Sequence, residues 1–265
     1  MYKRQMLGHE VVGTVVSYGP GATGPAPGTA VAVHPATPCG VCPECADGRA
    51  NVCRDTRYLG SAARFPHVQG GFAGRVVVPS AQVRALPDGL GPRRAALAEP
   101  LSVALHAVRR AGALAGRHVL VTGAGPIGCL VIAAAKAAGA ARVTATDLVP
   151  EALGYAAVAG ADTLLWADDP DDPGWPAEVD KRQVVQLGML PAGRTPFAGN
   201  LVVSREIELR GAFRFDAEFD DALELLAARG EFDGLVSAVV PVREAESAFA
   251  LASDRERSCK VLLEF

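Results

Sequence analysis

The chain has 265 residues, 49% hydrophobic and 21% charged, enough for one large or two medium globular domains. A net charge of −3 without a basic patch or polybasic run argues against nucleic-acid and membrane-surface roles. No apolar stretch is long enough to span a bilayer. The first residues lead straight into Gly8-His9-Glu10 with no signal peptide, so the expected compartment is the cytoplasm.

In chain order, residues 8–90 are rich in Gly, Val and Pro and predict short strands at 11–16, 29–33 and 74–78. Within this region four of the six cysteines cluster as Cys39-x2-Cys42-x2-Cys45-x7-Cys53. Without a secretion signal, such a cluster reads as a metal site before it reads as disulfides. Four thiolates close a tetrahedron around zinc, which serves structure and leaves no open position for chemistry. The alternatives are unrelated free cysteines, or a zinc finger, although no basic helix follows the cluster.

An Ala- and Leu-rich stretch over 93–113 predicts a helix. A buried-strand run follows at 118–122, then a glycine turn, an apolar helix over about 127–138, and a second strand over 142–146 that ends at Asp147. This is a βαβ unit. Its turn, Gly123-Ala124-Gly125-Pro126-Ile127-Gly128, fits G-x-G-x-x-G. The first glycine permits a tight turn, the second lets backbone approach a pyrophosphate, and the third lets helix and strand pack closely. The helix N-terminus favours the negative charge. A carboxylate at Asp147 can accept hydrogen bonds from the adenosine ribose and would repel a 2′-phosphate, which favours NAD over NADP. The alternative is a glycine turn in another α/β protein, with Asp147 an ordinary surface residue. Later strands are predicted at 183–188 and 207–211, and an amphipathic helix at 219–229.

His9 before a strand and Glu99 before Pro100 are unremarkable alone. A single His is more often packed or exposed than ligating, and Glu before Pro often just starts a helix.

Taken together, these residues resemble the zinc-containing medium-chain alcohol/polyol dehydrogenase family, in its sorbitol and L-idonate dehydrogenase branch. The resemblance rests on 8–13 (GHEVVG), the cysteine lobe, 98–107 (AEPLSVALHA), the glycine turn, 184–191 (VVQLGMLP), 206–215 (EIELRGAFRF) and the C-terminal Ala248–Ala252 with Lys260-Val261. It implies a β-rich, GroES-like catalytic domain over 1–102 and 213–265, and a doubly wound, Rossmann-type nucleotide domain over 103–212. It implies that His9 and Glu99 are catalytic zinc ligands, with Glu10 beside the metal as an outer group or an exchanging ligand. The cysteine lobe would hold a second, structural zinc. NAD would bind at Gly123, Gly125, Pro126, Ile127, Gly128 and Asp147. The same resemblance sets Arg214 near the substrate; the alternative is a surface or ion-pairing arginine. The implied reaction is hydride transfer between NAD and a secondary alcohol of a polyol or sugar acid, in a homodimer or homotetramer.

Two pieces of the family pattern are missing. The strands that precede Gly-His-Glu, with the cysteine zinc ligand and proton relay they carry, have no counterpart before Gly8. Inside the nucleotide domain, the pattern passes from near Asp180 directly into the strand at 183, and a strand plus crossover helix of about 20–30 residues is absent. Residues 167–178 are accordingly expected as loop. Both breaks carry Lys-Arg-Gln, at 3–5 and 181–183, which suggests junction artefacts and a longer parent protein. Thr29-Ala30 also replaces an acidic-basic pair of the family. The competing functional readings are a protein that binds NAD and zinc without turnover, and a zinc dehydrogenase for another secondary alcohol or threonine.

Overall fold

The structure is a computed structural model that describes residues 5–61, 63, 65–168 and 182–265. The Lys-Arg of the first Lys-Arg-Gln triplet, Lys181 of the second, and most of the stretch expected as loop lie outside these residues. The chain forms two compact units. One runs to Ser102 and resumes over Phe215–Phe265; the other is Val103–Arg214.

The first unit begins with β1 (Val11–Thr14) and β2 (Ala30–Val33), paired antiparallel with Val11 opposite Val33. The Ala and Val side chains of β2 are buried at residues 31–33. Next, β3 (Ala36–Thr37) pairs across a long excursion with β4 (Arg57–Tyr58). The excursion holds the four cysteines and α1 (Pro43–Ala46). β5 (Val83–Ala85) completes the β1-β2-β5 sheet.

No strand forms at 74–78, contrary to expectation. Val77 is fully exposed, and no ladder partner faces this segment among the described residues. Valine favours strands where a pleated, half-buried surface receives it, and none is offered here. The single helix expected over 93–113 is two helices, α2 (Pro92–Ala95) and α3 (Ala98–Ala111). Pro100 is the third residue of α3. In the first turn its missing N–H costs nothing, whereas a continuous helix would place it in the interior.

In the second unit, β6 (His118–Thr122), β7 (Arg142–Asp147) and β8 (Thr163–Trp166) form a parallel sheet in that order. The crossovers are α4 (Pro126–Ala137) and α5 (Pro150–Val158). α4 buries Leu130, Ile132 and a run of alanines, and small side chains let it lie close to the sheet. β9 (Gln183–Gln186), α6 (Gly199–Ser204) and β10 (Glu208–Gly211) follow, with β9 and β10 pairing parallel as a separate two-stranded sheet.

A doubly wound sheet has the strand order 3-2-1-4-5-6. Here β8-β7-β6 supply 3-2-1, and β9-β10 supply 5-6. The fourth strand, which would join β6 to β9, is absent among the described residues. The consequence is visible in burial. β7, flanked on both sides, is buried from Val143 to Asp147, whereas Val184 on β9 and Leu209 on β10 are exposed.

The chain closes in the first unit with α7 (Glu218–Ala228), β11 (Val236–Pro241), α8 (Ala245–Ser253) and β12 (Lys260–Glu264). β11 and β12 pair parallel. No helix among the described residues is long and apolar enough to cross a membrane.

Candidate active site and metal centres

The segment before β1 and the first turn of α3 bring together a set of oxygen and nitrogen donors. His9 and Glu10 lie immediately before β1. Gly8 turns the chain ahead of them at a φ of +91°, a conformation glycine adopts without strain. Backbone bonds from Gly71 to the Gly8 carbonyl and from Phe72 to the Leu7 carbonyl hold this entry segment in place. Glu99 lies in the first turn of α3, and its side chain is buried.

The ligand atoms of His9, Glu10 and Glu99 all lie within 4.8 Å of one another. His9 Nε2 stands 4.0 Å from Glu99 Oε1. Ligands about 2.0–2.2 Å from a tetrahedral zinc stand roughly 3.3–3.5 Å apart, so a small inward movement closes both onto one ion. One imidazole and two carboxylates, one of them buried, suit a divalent cation: a buried anion is costly without a cationic partner. The donor set therefore fits a zinc ion.

Two residues that sequence reasoning did not assign to this site complete it. Tyr58, on β4, donates its hydroxyl to Glu99 Oε1 at 2.6 Å, and its ring meets the His9 ring edge-on at 5.6 Å. Lys260, at the start of β12, forms an ion pair with Glu10 Oε2. Neither carries a local signal, because Tyr58 is 41 residues from Glu99 and Lys260 is 250 residues from Glu10 along the chain, and each meets its carboxylate only through the fold.

The four cysteines form a second centre, with all ligand sulfurs within 4.8 Å of one another. Cys53 Sγ lies 3.5 Å from Cys39 Sγ and 3.8 Å from Cys42 Sγ. Sulfurs about 2.3 Å from a tetrahedral zinc stand roughly 3.8 Å apart, so this spacing already matches a loaded site and is far beyond disulfide bonding distance. The Cys39 and Asp55 amides each donate to Cys53 Sγ at 3.3 Å. The Cys39 amide above all holds the Cys53 thiol down to about 6, while loss of water and a hydrogen bond with Cys42 push Cys45 up to about 12. Cys129 is buried in α4 with its sulfur on the Ala124 carbonyl, and Cys259 is buried near the C-terminus.

In the second unit the glycine turn has the shape its pattern requires. Gly123 sits at a φ of +95°. A Cβ on Gly128 would collide with the Gly123 carbonyl oxygen, whereas one on Gly125 would meet nothing within 4 Å. The open face is thus at Gly125, where backbone approach to a pyrophosphate is needed. Pro126 and Ile127 open α4. Asp147, at the end of β7, accepts from the Ala124 amide at 2.6 Å and the Val149 amide at 2.9 Å. These bonds lock the carboxylate against the turn. Arg214 has a left-handed backbone, φ +54°, and lays its guanidinium over the Phe213 ring at 4.9 Å. Such a conformation is uncommon outside glycine and marks a position that its surroundings constrain.

The alcohol dehydrogenase GroES-like domain family matches residues 2–88. L-idonate 5-dehydrogenase (NAD(P)(+)) of Escherichia coli K12 is 36% identical over 286 aligned positions, covering 98% of this chain and 82% of the relative. Sorbitol dehydrogenase of Bacillus subtilis is 30% identical, covering 84% of this chain and 70% of its own. Among solved structures, L-idonate 5-dehydrogenase of E. coli K-12 superposes with a TM-score of 0.89 at 36% identity, over 98% of this chain and 82% of that one. A zinc-binding dehydrogenase of Sinorhizobium meliloti, solved bound to NADP, superposes at 0.82 with 30% identity, over 98% and 82%. The fold is α/β, with a GroES-like portion and a Rossmann-type parallel sheet. The chain belongs to the zinc-type medium-chain alcohol dehydrogenase family, whose members are oxidoreductases. The 286 aligned positions exceed the 265 residues of the chain by 21, so at least 21 of them face no residue here. A strand and its crossover helix are about that long.

Proposed function

We propose that this chain is an NAD-linked, zinc-dependent oxidoreductase that interconverts a secondary alcohol of a polyol or sugar acid, L-idonate in type, and the matching ketone. The observation that carries the reading is the convergence of His9, Glu10 and Glu99 on one point. Zinc bound there supplies Lewis acidity toward a hydroxyl oxygen, and NAD supplies the hydride acceptor.

The chain's own groups do the rest. His9 offers a neutral nitrogen and Glu99 an anionic oxygen to the ion. Glu10, held by Lys260, stays beside them as a carboxylate that can exchange onto the metal. The Gly123–Gly128 turn and the start of α4 receive the pyrophosphate, with the helix N-terminus favouring its charge. Asp147 accepts from the ribose hydroxyls, and its charge disfavours a 2′-phosphate there. The cysteine lobe holds a zinc that serves structure, and Arg214 contacts the substrate. The domain division is residues 1–102 with 213–265 for the metal centres and 103–212 for NAD. The assembly is a homodimer or homotetramer, and the compartment is the cytoplasm.

The test is NADH formation by the purified, zinc-loaded protein over a panel of polyols, sugar acids, simple secondary alcohols and threonine. The expected result is turnover of a sugar acid or polyol, lost in Glu99→Ala, with NAD preferred over NADP. Turnover of threonine or a simple alcohol alone would overturn the substrate class. A second reading, binding of NAD and zinc without turnover, is favoured by one observation: among the described residues, the sheet that carries the glycine turn has three strands and none joins it to β9. NAD binding by titration with no oxidation of any panel member would establish it.

A further inference from the structure

The two carboxylates near His9 differ in what holds them. Glu10 faces the ammonium of Lys260, which neutralises it. Glu99 receives the hydroxyl of Tyr58 at 2.6 Å, a neutral donor that orients the carboxylate and leaves its charge in place. Both partners of this bond are buried, Tyr58 to 7% and Glu99 to 6% of full exposure, so bulk water competes little for either group. The same oxygen, Oε1, lies 4.0 Å from His9 Nε2, and the ring that carries the hydroxyl packs edge-on against the His9 ring. One residue thus touches both ligands, one through its polar end and one through its apolar face.

A glutamate carboxylate turns about its last torsion over a broad range. A hydrogen bond to Oε1 restricts that torsion and so sets the direction in which the carboxylate faces. Groups that orient a ligand in this way typically change metal affinity by about 10–100-fold.

We propose that Tyr58 is the positioning residue of the His9–Glu99 metal centre: its hydroxyl presets the Glu99 carboxylate as the committed anionic ligand, while Lys260 keeps Glu10 in reserve. The inference rests on the metal reading of His9 and Glu99 above.

The test uses cobalt(II) alone, titrated into the metal-free full chain and its Tyr58→Phe variant. Affinities come from chelator competition, and the two centres are told apart by visible spectra. Thiolate charge-transfer bands report the cysteine lobe, and weaker d–d bands report the nitrogen–oxygen site. Phenylalanine keeps the ring against His9 and removes only the hydroxyl. The expected result is a second-site affinity about 10–100-fold weaker, with altered d–d bands and an unchanged lobe. In the Glu99→Gln background, Tyr58→Phe should cause no further loss. The unchanged lobe spectrum also verifies folding in each variant. Equal second-site affinity and bands in wild type and Tyr58→Phe would overturn the role of Tyr58 while leaving the metal reading intact, as would an additive loss in the double variant. A wild-type chain that binds cobalt at the lobe alone would overturn both.

Discussion

At the scale of single residues, this chain places its polar groups where backbone amides or oppositely charged side chains meet them. His34 shows what burial does to a titratable group even where an amide meets it. It follows β2, between the rings of Phe215 and Phe219 at 5.0 and 5.2 Å, and the Ala36 amide donates to its Nδ1. Burial holds its pKa below the ordinary 6.5. The folded state therefore binds fewer protons than the unfolded state once pH falls below 6.5, so this group contributes a loss of stability there and none above it. Urea denaturation from pH 8 to pH 5 should show a component of acid destabilisation that disappears in His34→Asn. An unchanged pH slope in the variant would show that His34 does not set it. The cysteine lobe was legible at this scale because four thiols within fifteen residues have few other uses. Tyr58 was not legible, because a lone tyrosine gains a role only from the carboxylate it meets.

At the scale of elements, the βαβ unit from β6 to β7 was readable in full. An apolar run, a glycine turn and an apolar helix are each strong local signals, and they succeed one another without interruption. The valine run at 74–78 and the helix over 93–113 were misread for a shared reason: periodicity records what a segment prefers, and neither a missing partner strand nor a proline's position within the first turn enters it. The split sheet gives the sharpest element-scale expectation. Leu130 in α4 is 1% exposed, and Leu130→Ala should cost about 2–5 kcal/mol. Leu209 in β10 is 49% exposed, and Leu209→Ala should cost at most about 0.5 kcal/mol. Comparable losses for the two variants in chemical denaturation would mean that β9 and β10 are covered after all.

At the scale of the whole molecule, ligand linkage separates the two compact units. Zinc binds groups of the first unit and NAD groups of the second under the proposed function. A ligand that binds only the folded state stabilises by about 2.7 kcal/mol at a hundred times its dissociation constant. Differential scanning calorimetry should therefore show a chelator lowering one heat-absorption transition and NAD raising the other. If NAD leaves that transition in place, the three-strand sheet does not hold the nucleotide.

The sequence by itself determined the family, and it named the residues that the structure gathers into two clusters of possible metal donors and into the glycine turn. These depend on residue types at short spacing, or on motifs whose order along the chain is characteristic. It also placed the internal gap, because a strand and its crossover must occupy length and that length is not there. Only the tertiary structure decided that, among the described residues, no strand joins β6 to β9 and the parallel strands form two sheets, and that Tyr58 and Lys260 each meet a different carboxylate. Those facts concern which edges and side chains meet across distant parts of the chain, and no local preference encodes them.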